Sequence, residues 1–374
     1  MIYTVFMAFA SVYGIIFSRQ IAEDKRSRTA YCFITGLMLF LIAGLRSIAV
    51  GGDSGQYARL YALVSRLELS DILERFNTEP LFYVFAKFLS IFSTSYTFLF
   101  CVIGAIFAFS ISYFIYRFSE APYISLVMLI PMQFFPFTLS GCRQALTLSI
   151  VLLAISLVLK KSYIKFAIVL LVAYFIHNST IFVLPFILLV HLRNKIVSRI
   201  LFVAGMIFTY IFRVPILSFI TNYIYTDYEI YEETRGSFTT LLMYLGILIL
   251  CAFFINNPRL FRTTDSELIH RSLDRLLPTD DAFVQERTMY QLFEVLLGFG
   301  VIIQLLVPLQ PNIYRVAMYY QIVSILIVPK IVYSIPNRLI RGLSISGFFA
   351  IMILLYFRFT FYAAGANPYE FFWQ

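Results

Sequence analysis

Three arginines stand at the ends of apolar stretches that are far apart in the chain: Arg46, Arg143 and Arg315. A guanidinium group stays charged and donates two parallel hydrogen bonds from a planar fork, so it suits phosphate oxygens. Near them lie the turn Gly51-Gly52-Asp53-Ser54-Gly55, the pair Glu79-Pro80, Gln144 beside Arg143, the pair His177-Asn178, and Tyr319 after Arg315. A glycine-rich turn can add backbone amides to an anion, and a diphosphate fits the whole set. Asp53, Glu79 and His177 are the candidate bases, with hydrogen-bond reach to the reacting proton as the deciding criterion. Tyr57, Gln144, Asn178 and Tyr319 are candidates for holding substrate. Each residue also has a plainer reading. An arginine near a helix end snorkels to the interface, the glycine turn serves as a helix start capped by Asp53 or Ser54, and a lone histidine in an apolar run is a core residue. No metal or other cofactor is called for, because there is no DxD pair and no Cys/His spacing. The four cysteines sit in or beside apolar runs, and Asp280-Asp281 falls on the other side of the membrane.

The elements that must position these groups are membrane helices. Of 374 residues, 60% are hydrophobic and 13% charged, with a mean hydropathy of +0.84. Soluble domains carry about 25% charged residues, so an ordinary cytosolic enzyme is excluded. The net charge of +9 reflects sorting of Lys and Arg to one side of a bilayer rather than a nucleic-acid partner. Apolar runs occur at 1–18, 29–47, 97–116, 122–139, 142–159, 164–190, 200–219, 237–255, 288–307, 316–333 and 342–362. The basic loops 19–28, 160–165 and 191–199 are predicted inside. A single run at 164–190 joins two of them, so it must enter and return, with His177-Asn178-Ser179 as the turn. The segment 81–93 is too short to span and is predicted to lie in the interface. This gives an all-α, polytopic protein of about 12 transmembrane helices, including a short broken hairpin, with both termini outside. It reads as a single transmembrane domain over 1–374, with an outer loop at 48–80 and an inner loop at 256–287. The loop 220–236 is expected outside and acidic. On this map Arg46, Arg143 and Arg315 share the outer level of the membrane, where ionisable groups are costly unless they have a use.

The same residues carry a resemblance. Gly44-Leu45-Arg46, Gly52-Asp53 with Tyr57, Glu79-Pro80-Leu81-Phe82, Cys142-Arg143-Gln144-Ala145-Leu146, Phe175-Ile176-His177-Asn178-Ser179, Arg315 with Tyr319-Tyr320, and the tail Asn367-Pro368-Tyr369 are similar, in order and spacing, to the motifs of the EpsG/Wzy-type polysaccharide polymerases. The departures are Cys142 and the long inner loop 256–287. The resemblance implies a GT-C-like architecture and a glycosyltransferase of the bacterial inner (cytoplasmic) membrane. Such an enzyme moves a growing O-antigen, capsule or exopolysaccharide chain from undecaprenyl diphosphate onto a new lipid-linked repeat unit at the periplasmic leaflet. Its implied partners are undecaprenyl-diphosphate-linked oligosaccharides and membrane lipids, with a chain-length regulator and a flippase as further candidates and no nucleic acid.

Two other functions are weighed against this one. A transporter or flippase of lipid-linked sugar would need polar groups through both leaflets, and Glu294 is the main one in the inner half. A surface-glycan ligase or membrane acyltransferase would be expected to carry its large outer loop late in the chain, whereas here that loop is early, at 48–80.

Overall fold

The computed structural model describes residues 2–192, 195–223, 238–257, 260–264, 266–277, 281–361 and 368–374. Among these the chain is helical, and one isolated antiparallel bridge pairs Arg46 with Phe371. Local chemistry sets many helix starts. The Asp24 carboxylate accepts from the Ser27 amide and caps Lys25–Gly44. Asp281 caps Ala282–Gln304, Asn337 caps Arg338–Leu355, and prolines open Pro80–Ser90 and Pro122–Met128.

Among the described residues, five helices are long and apolar enough to cross a membrane: Lys25–Gly44, Tyr96–Phe118, Cys142–Leu159, Thr239–Asn256 and Arg338–Phe361. Two bent pairs raise this to seven. Ile196–Ile211 meets Arg213–Asn222 at 78°, and Pro311–Gln321 meets Ser324–Ser334 at 50°. Continuous rods therefore do not supply the expected total of about twelve. The predicted run 122–139 is the clearest difference. It folds as two short helices, Pro122–Met128 and Phe134–Ser140, joined through Gln133 at φ 66°. Nearly all of it is buried, because protein rather than lipid surrounds it, which is where broken backbone is tolerated. The run 164–190 breaks at the expected place, between Tyr163–Ile176 and a 3₁₀ turn at Asn178–Val183. The inner loop folds a short helix, Glu267–Asp274. The acidic loop at 220–236 lies almost wholly outside the described residues.

The scaffold is tightest where Lys25–Gly44 meets Tyr96–Phe118. A Cβ on Gly104 would stand 2.9 Å from the Ala43 Cβ, so a glycine is needed for the backbones to come this close. Small residues do this in membrane helices, where packing replaces the hydrophobic drive. Arg28, at the start of Lys25–Gly44, is buried and closes the far end of Tyr96–Phe118. Its Nε donates to the Tyr116 carbonyl at 2.8 Å and its Nη2 to the Ser119 carbonyl at 2.5 Å, satisfying carbonyls that a helix end leaves open.

Arg28 and Arg46 lie near opposite ends of the same helix, about 27 Å apart at 1.5 Å per residue, close to a hydrocarbon thickness of ~30 Å. On the Arg28 side, Lys330 is buried between Glu286 (2.7 Å) and Glu120 (3.3 Å), donates to the Arg262 carbonyl, and faces the Phe261 ring at 4.8 Å. The Glu286 Oε2 accepts from the Thr264 amide at 2.9 Å. This cluster pins Phe261, Arg262 and Thr264 of the inner loop to the bundle.

Removing one member of a buried ionic cluster strands its partners, at about 3–5 kcal/mol. We therefore expect Lys330→Met to lower sharply the thermal unfolding temperature of detergent-purified protein. The double variant with Glu286→Gln should recover part of the loss.

Candidate functional site

Glu79 occupies the N-cap position of Pro80–Ser90 but makes no cap bond. Its carboxylate turns away to serve three other groups. Oε2 pairs with the Arg143 guanidinium, and Oε1 takes both the His177 Nδ1 at 2.8 Å and the Asn178 backbone amide at 3.0 Å. Pro80 needs no amide partner, so nothing is lost by leaving the cap unmade. Glu79 belongs to the 48–80 loop, outside the spanning helices. Burial works to raise its pKa. The His177 hydrogen bond, with the His177 and Arg143 charges and the Asn178 amide, outweighs burial and holds the carboxyl at about 2. A carboxylate held so low is a weak proton acceptor near neutrality. An ionised carboxylate only accepts hydrogen bonds, so His177 donates from Nδ1. In the neutral imidazole this leaves Nε2 with the lone pair. That Nε2 is buried and has no hydrogen-bond partner among the described residues.

Arg143 opens Cys142–Leu159 in its first turn. Besides Glu79 it donates from Nε to the Tyr57 hydroxyl at 3.2 Å, and the rings of Tyr57 and Phe82 lie 5.8 Å from its guanidinium carbon. Its side chain remains 29% exposed. Arg315 lies beside Asp53, with Nη2 3.7 Å from Oδ2, and over the Phe137 ring at 5.6 Å; its Nε is buried without a partner. Both guanidinium charges are near enough to act on His177. Gln144 fixes the Arg315 backbone by donating to its carbonyl at 2.9 Å. The buried Tyr319 hydroxyl gathers Thr147 and Ser179, each at 3.0 Å, and Gln144 at 3.3 Å. The Asn178 Oδ1 is a second buried acceptor with no described partner.

Asp53, Tyr57, Glu79, Arg143, Gln144, His177, Asn178, Arg315 and Tyr319 thus form one linked cluster. Two details differ from the sequence reading. Asp53 occupies the N-cap position of Ser54–Arg66 without capping it, because its carboxylate faces Arg315. Arg46 is 2% exposed and its donors are already committed. Nη1 goes to the Ala43 carbonyl, Nη2 to the Leu139 carbonyl at 3.0 Å, and Nε to the Ser54 hydroxyl at 3.4 Å, with the Phe100 ring at 3.8 Å. Arg46 therefore buttresses the glycine turn from behind, and no open face is left for a ligand. In that turn Gly51 takes φ 93°, and a Cβ there would strike the Leu139 carbonyl at 2.5 Å. The Gly52 amide is held by the Ser140 hydroxyl at 3.0 Å, so it is not pointed at a ligand.

A family profile described as the EpsG family matches residues 29–371. The chain belongs to the EpsG family. No curated protein and no solved structure matches it. Membership, with the apolar helices, indicates a multi-pass membrane protein of polysaccharide-polymerase type. In this EpsG-family chain the Glu79-Pro80-Leu81-Phe82 element has a physical meaning: Glu79 holds Arg143 and His177, Pro80 starts the helix, and Phe82 lies against the guanidinium. Thr147 and Ser179 were missed in the sequence. The signal available was position, since Thr147 is one turn beyond Arg143 and Ser179 adjoins Asn178.

Lysine cannot reach three carbonyl and hydroxyl acceptors in different directions, nor lie flat on Phe100. Arg46→Lys should therefore destabilise the protein by about 2 kcal/mol. A lowered midpoint in thermal unfolding, with reduced membrane yield, is the expected reading.

Proposed function

We propose that this protein joins lipid-linked glycan units, using His177 as the general base and Arg143 with Arg315 as the clamp for the departing diphosphate. The observation that carries the reading is the unpartnered His177 Nε2, oriented through Nδ1 by Glu79 and flanked by two arginines. A buried acceptor left without a partner costs about 1–3 kcal/mol, a cost that a substrate hydroxyl would relieve. In the reaction, that hydroxyl gives its proton to Nε2 and its oxygen attacks the anomeric carbon of the donor sugar. The bond from that carbon to the diphosphate oxygen breaks, and the electron pair leaves with the lipid diphosphate. Charge develops on the leaving group as the bond breaks, so fixed guanidinium groups aimed there lower the barrier. Glu79 is a positioning residue: it holds the imidazole in the tautomer that can accept a proton. Tyr57 and the fully buried Phe82 hold the Arg143 guanidinium in place, and Tyr319 with Gln144 sets the backbone that carries Arg315.

The substrate in this reading is an undecaprenyl-diphosphate-linked oligosaccharide at the periplasmic leaflet of the bacterial inner membrane. The membrane helices would then serve as a GT-C-like scaffold for the site. O-antigen, capsule and exopolysaccharide are the glycan classes it would build. A flippase is less well supported, because the cavity of about 650 Å³ beside the site is walled through its middle by Phe182, Phe202, Leu245 and Leu248, which does not suit the passage of a glycan.

The test is the polymer ladder on the cell surface, with protein level measured in parallel. Arg143→Lys and Arg315→Lys should each leave mostly single lipid-linked repeat units, since one lost transition-state contact costs on the order of a hundredfold in rate. His177→Ala should do the same. Wild-type ladders from all three variants, at normal protein level, would remove the mechanism.

Glu79→Gln separates positioning from clamping. The amide cannot hold Nδ1–H and the Arg143 charge together, so turnover should fall while the affinity for a lipid diphosphate stays within about threefold. The split is read from kcat and KM on purified protein, with effects that move both rates and binding reading against a positioning role.

A further inference from the structure

A cavity of about 650 Å³ adjoins the site. Ser179, Gln310, Asn312 and Arg315 line one end, and Ser198, Arg199 and Glu294 line the other. Between them the walls are apolar, formed by Phe182, Phe202, Leu245, Leu248, Phe299 and Ile302. Along Ala282–Gln304 and the turn after it, the lining runs from Glu294 to Leu306, about 18 Å at the helical rise. The cavity therefore extends through more than half a hydrocarbon core of ~30 Å, with Arg315 at the end that meets the catalytic cluster and Arg199 beside Glu294 at the other.

Two features keep it open. Gly205 and Gly298 face it without side chains, and a Cβ on Gly298 would already touch the Phe202 ring at 3.4 Å and Leu248 at 3.8 Å. The 78° bend after Ile211 turns the segment Arg213–Asn222 across the bundle, and Ile216, Ile220 and Thr221 from that segment close over the cavity. An apolar space of this size forfeits dispersion contacts on every wall unless something fills it. A glycan would leave its hydroxyl groups unpaired there.

We infer that the cavity takes the hydrocarbon chain of the donor lipid, with its diphosphate at Arg315. The inference rests on the polymerase reading and assigns one of its two lipid-linked substrates a place. Arg315 lines the cavity, so a lipid seated in it presents its diphosphate to Arg315, with Arg143 as the second arm of the clamp. The anomeric bond that breaks is on that lipid. The acceptor lipid, which supplies only a hydroxyl to His177, then approaches from another side. Arg199 and Glu294 bound the far end, so about 18 Å of chain is gripped and the remainder lies in the bilayer.

The experiment uses purified full-length protein in vesicles of neutral phospholipid. The probe is a farnesyl diphosphate bearing a diazirine on its terminal isoprene. Labelling should fall on the segments containing Phe202, Leu248 and Gly298, and undecaprenyl diphosphate should compete it away. Gly298→Leu, which fills the cavity from one helix, and Leu248→Trp, which fills it from another, should each cut labelling. Each should also raise the KM for lipid-linked donor roughly tenfold, what leaving about two methylene groups unburied costs, while kcat is largely kept. Equal competition by phosphatidylglycerol would overturn the assignment, showing a general lipid crevice. Wild-type KM in both filled variants, with Arg315→Lys inactive, would overturn the cavity assignment and leave the polymerase reading standing. Normal polymerisation by Arg315→Lys, Arg143→Lys and His177→Ala alike would remove the reading itself, whatever the labelling pattern.

Discussion

The Glu79 carboxylate joins three elements that are distant in the chain. It neutralises Arg143 at the mouth of a spanning helix, orients His177 at the break of the hairpin, and accepts the Asn178 amide that the break exposes. Without it, Arg143 would lose its counter-charge and the Asn178 amide its acceptor. A hairpin that breaks inside a bundle must find partners for its freed backbone groups. Here the same carboxylate meets that structural demand and supplies the electrostatics of the site, so the geometry of the cluster depends on one residue in a loop.

The rest of the scaffold serves to hold that loop still. Arg46 sits behind the glycine turn and ties Ala43, Ser54 and Leu139 into one block. The antiparallel bridge to Phe371 and the Tyr369 hydroxyl on the Ile42 carbonyl at 2.7 Å brace the same block from the other side. Asp53 is then presented to Arg315 from a rigid turn. Arginine fills two different offices in this protein. Arg28 and Arg46 are buried against carbonyls as structural ties, while Arg143 and Arg315 are each held by a carboxylate and keep a partly open face.

Much of the cluster was legible in the sequence, because its chemistry lies in residue types that are expensive in a membrane. Arg143, His177 and Arg315 stand out against an apolar background, and the parity of the basic loops located the hairpin break. What could not be read was which donors were already spent. Arg46 and Arg143 look alike in sequence, and only the carbonyls exposed around Leu139 and Ala43 separate them. Asp53 reads as a cap, and Glu79 too proves to stand at an N-cap position, yet both side chains are drawn off by arginines far along the chain. The run 122–139 read as a span because hydropathy reports that a segment avoids water, not whether lipid or protein is its neighbour. The cavity was invisible for a related reason: it is an absence bounded by four separate segments, and glycines at 205 and 298 mark it no more clearly than glycines elsewhere.

The ionic cluster at the far end has a consequence for how the protein is made. Glu120 emerges from the ribosome long before Lys330, by roughly 200 residues, which at 5–20 residues per second is on the order of 10–40 s. Glu286 emerges only shortly before that lysine. Through most of synthesis the acid at 120 must be tolerated at the membrane surface with Arg28 as the cation able to act on it. The arrival of Lys330 is what lets Glu120, Glu286 and the Thr264 amide come together. Burial of that lysine therefore marks a late assembly step, and a chain in which it fails would leave Glu286 and Glu120 without their shared cation before whatever machinery inspects new membrane proteins.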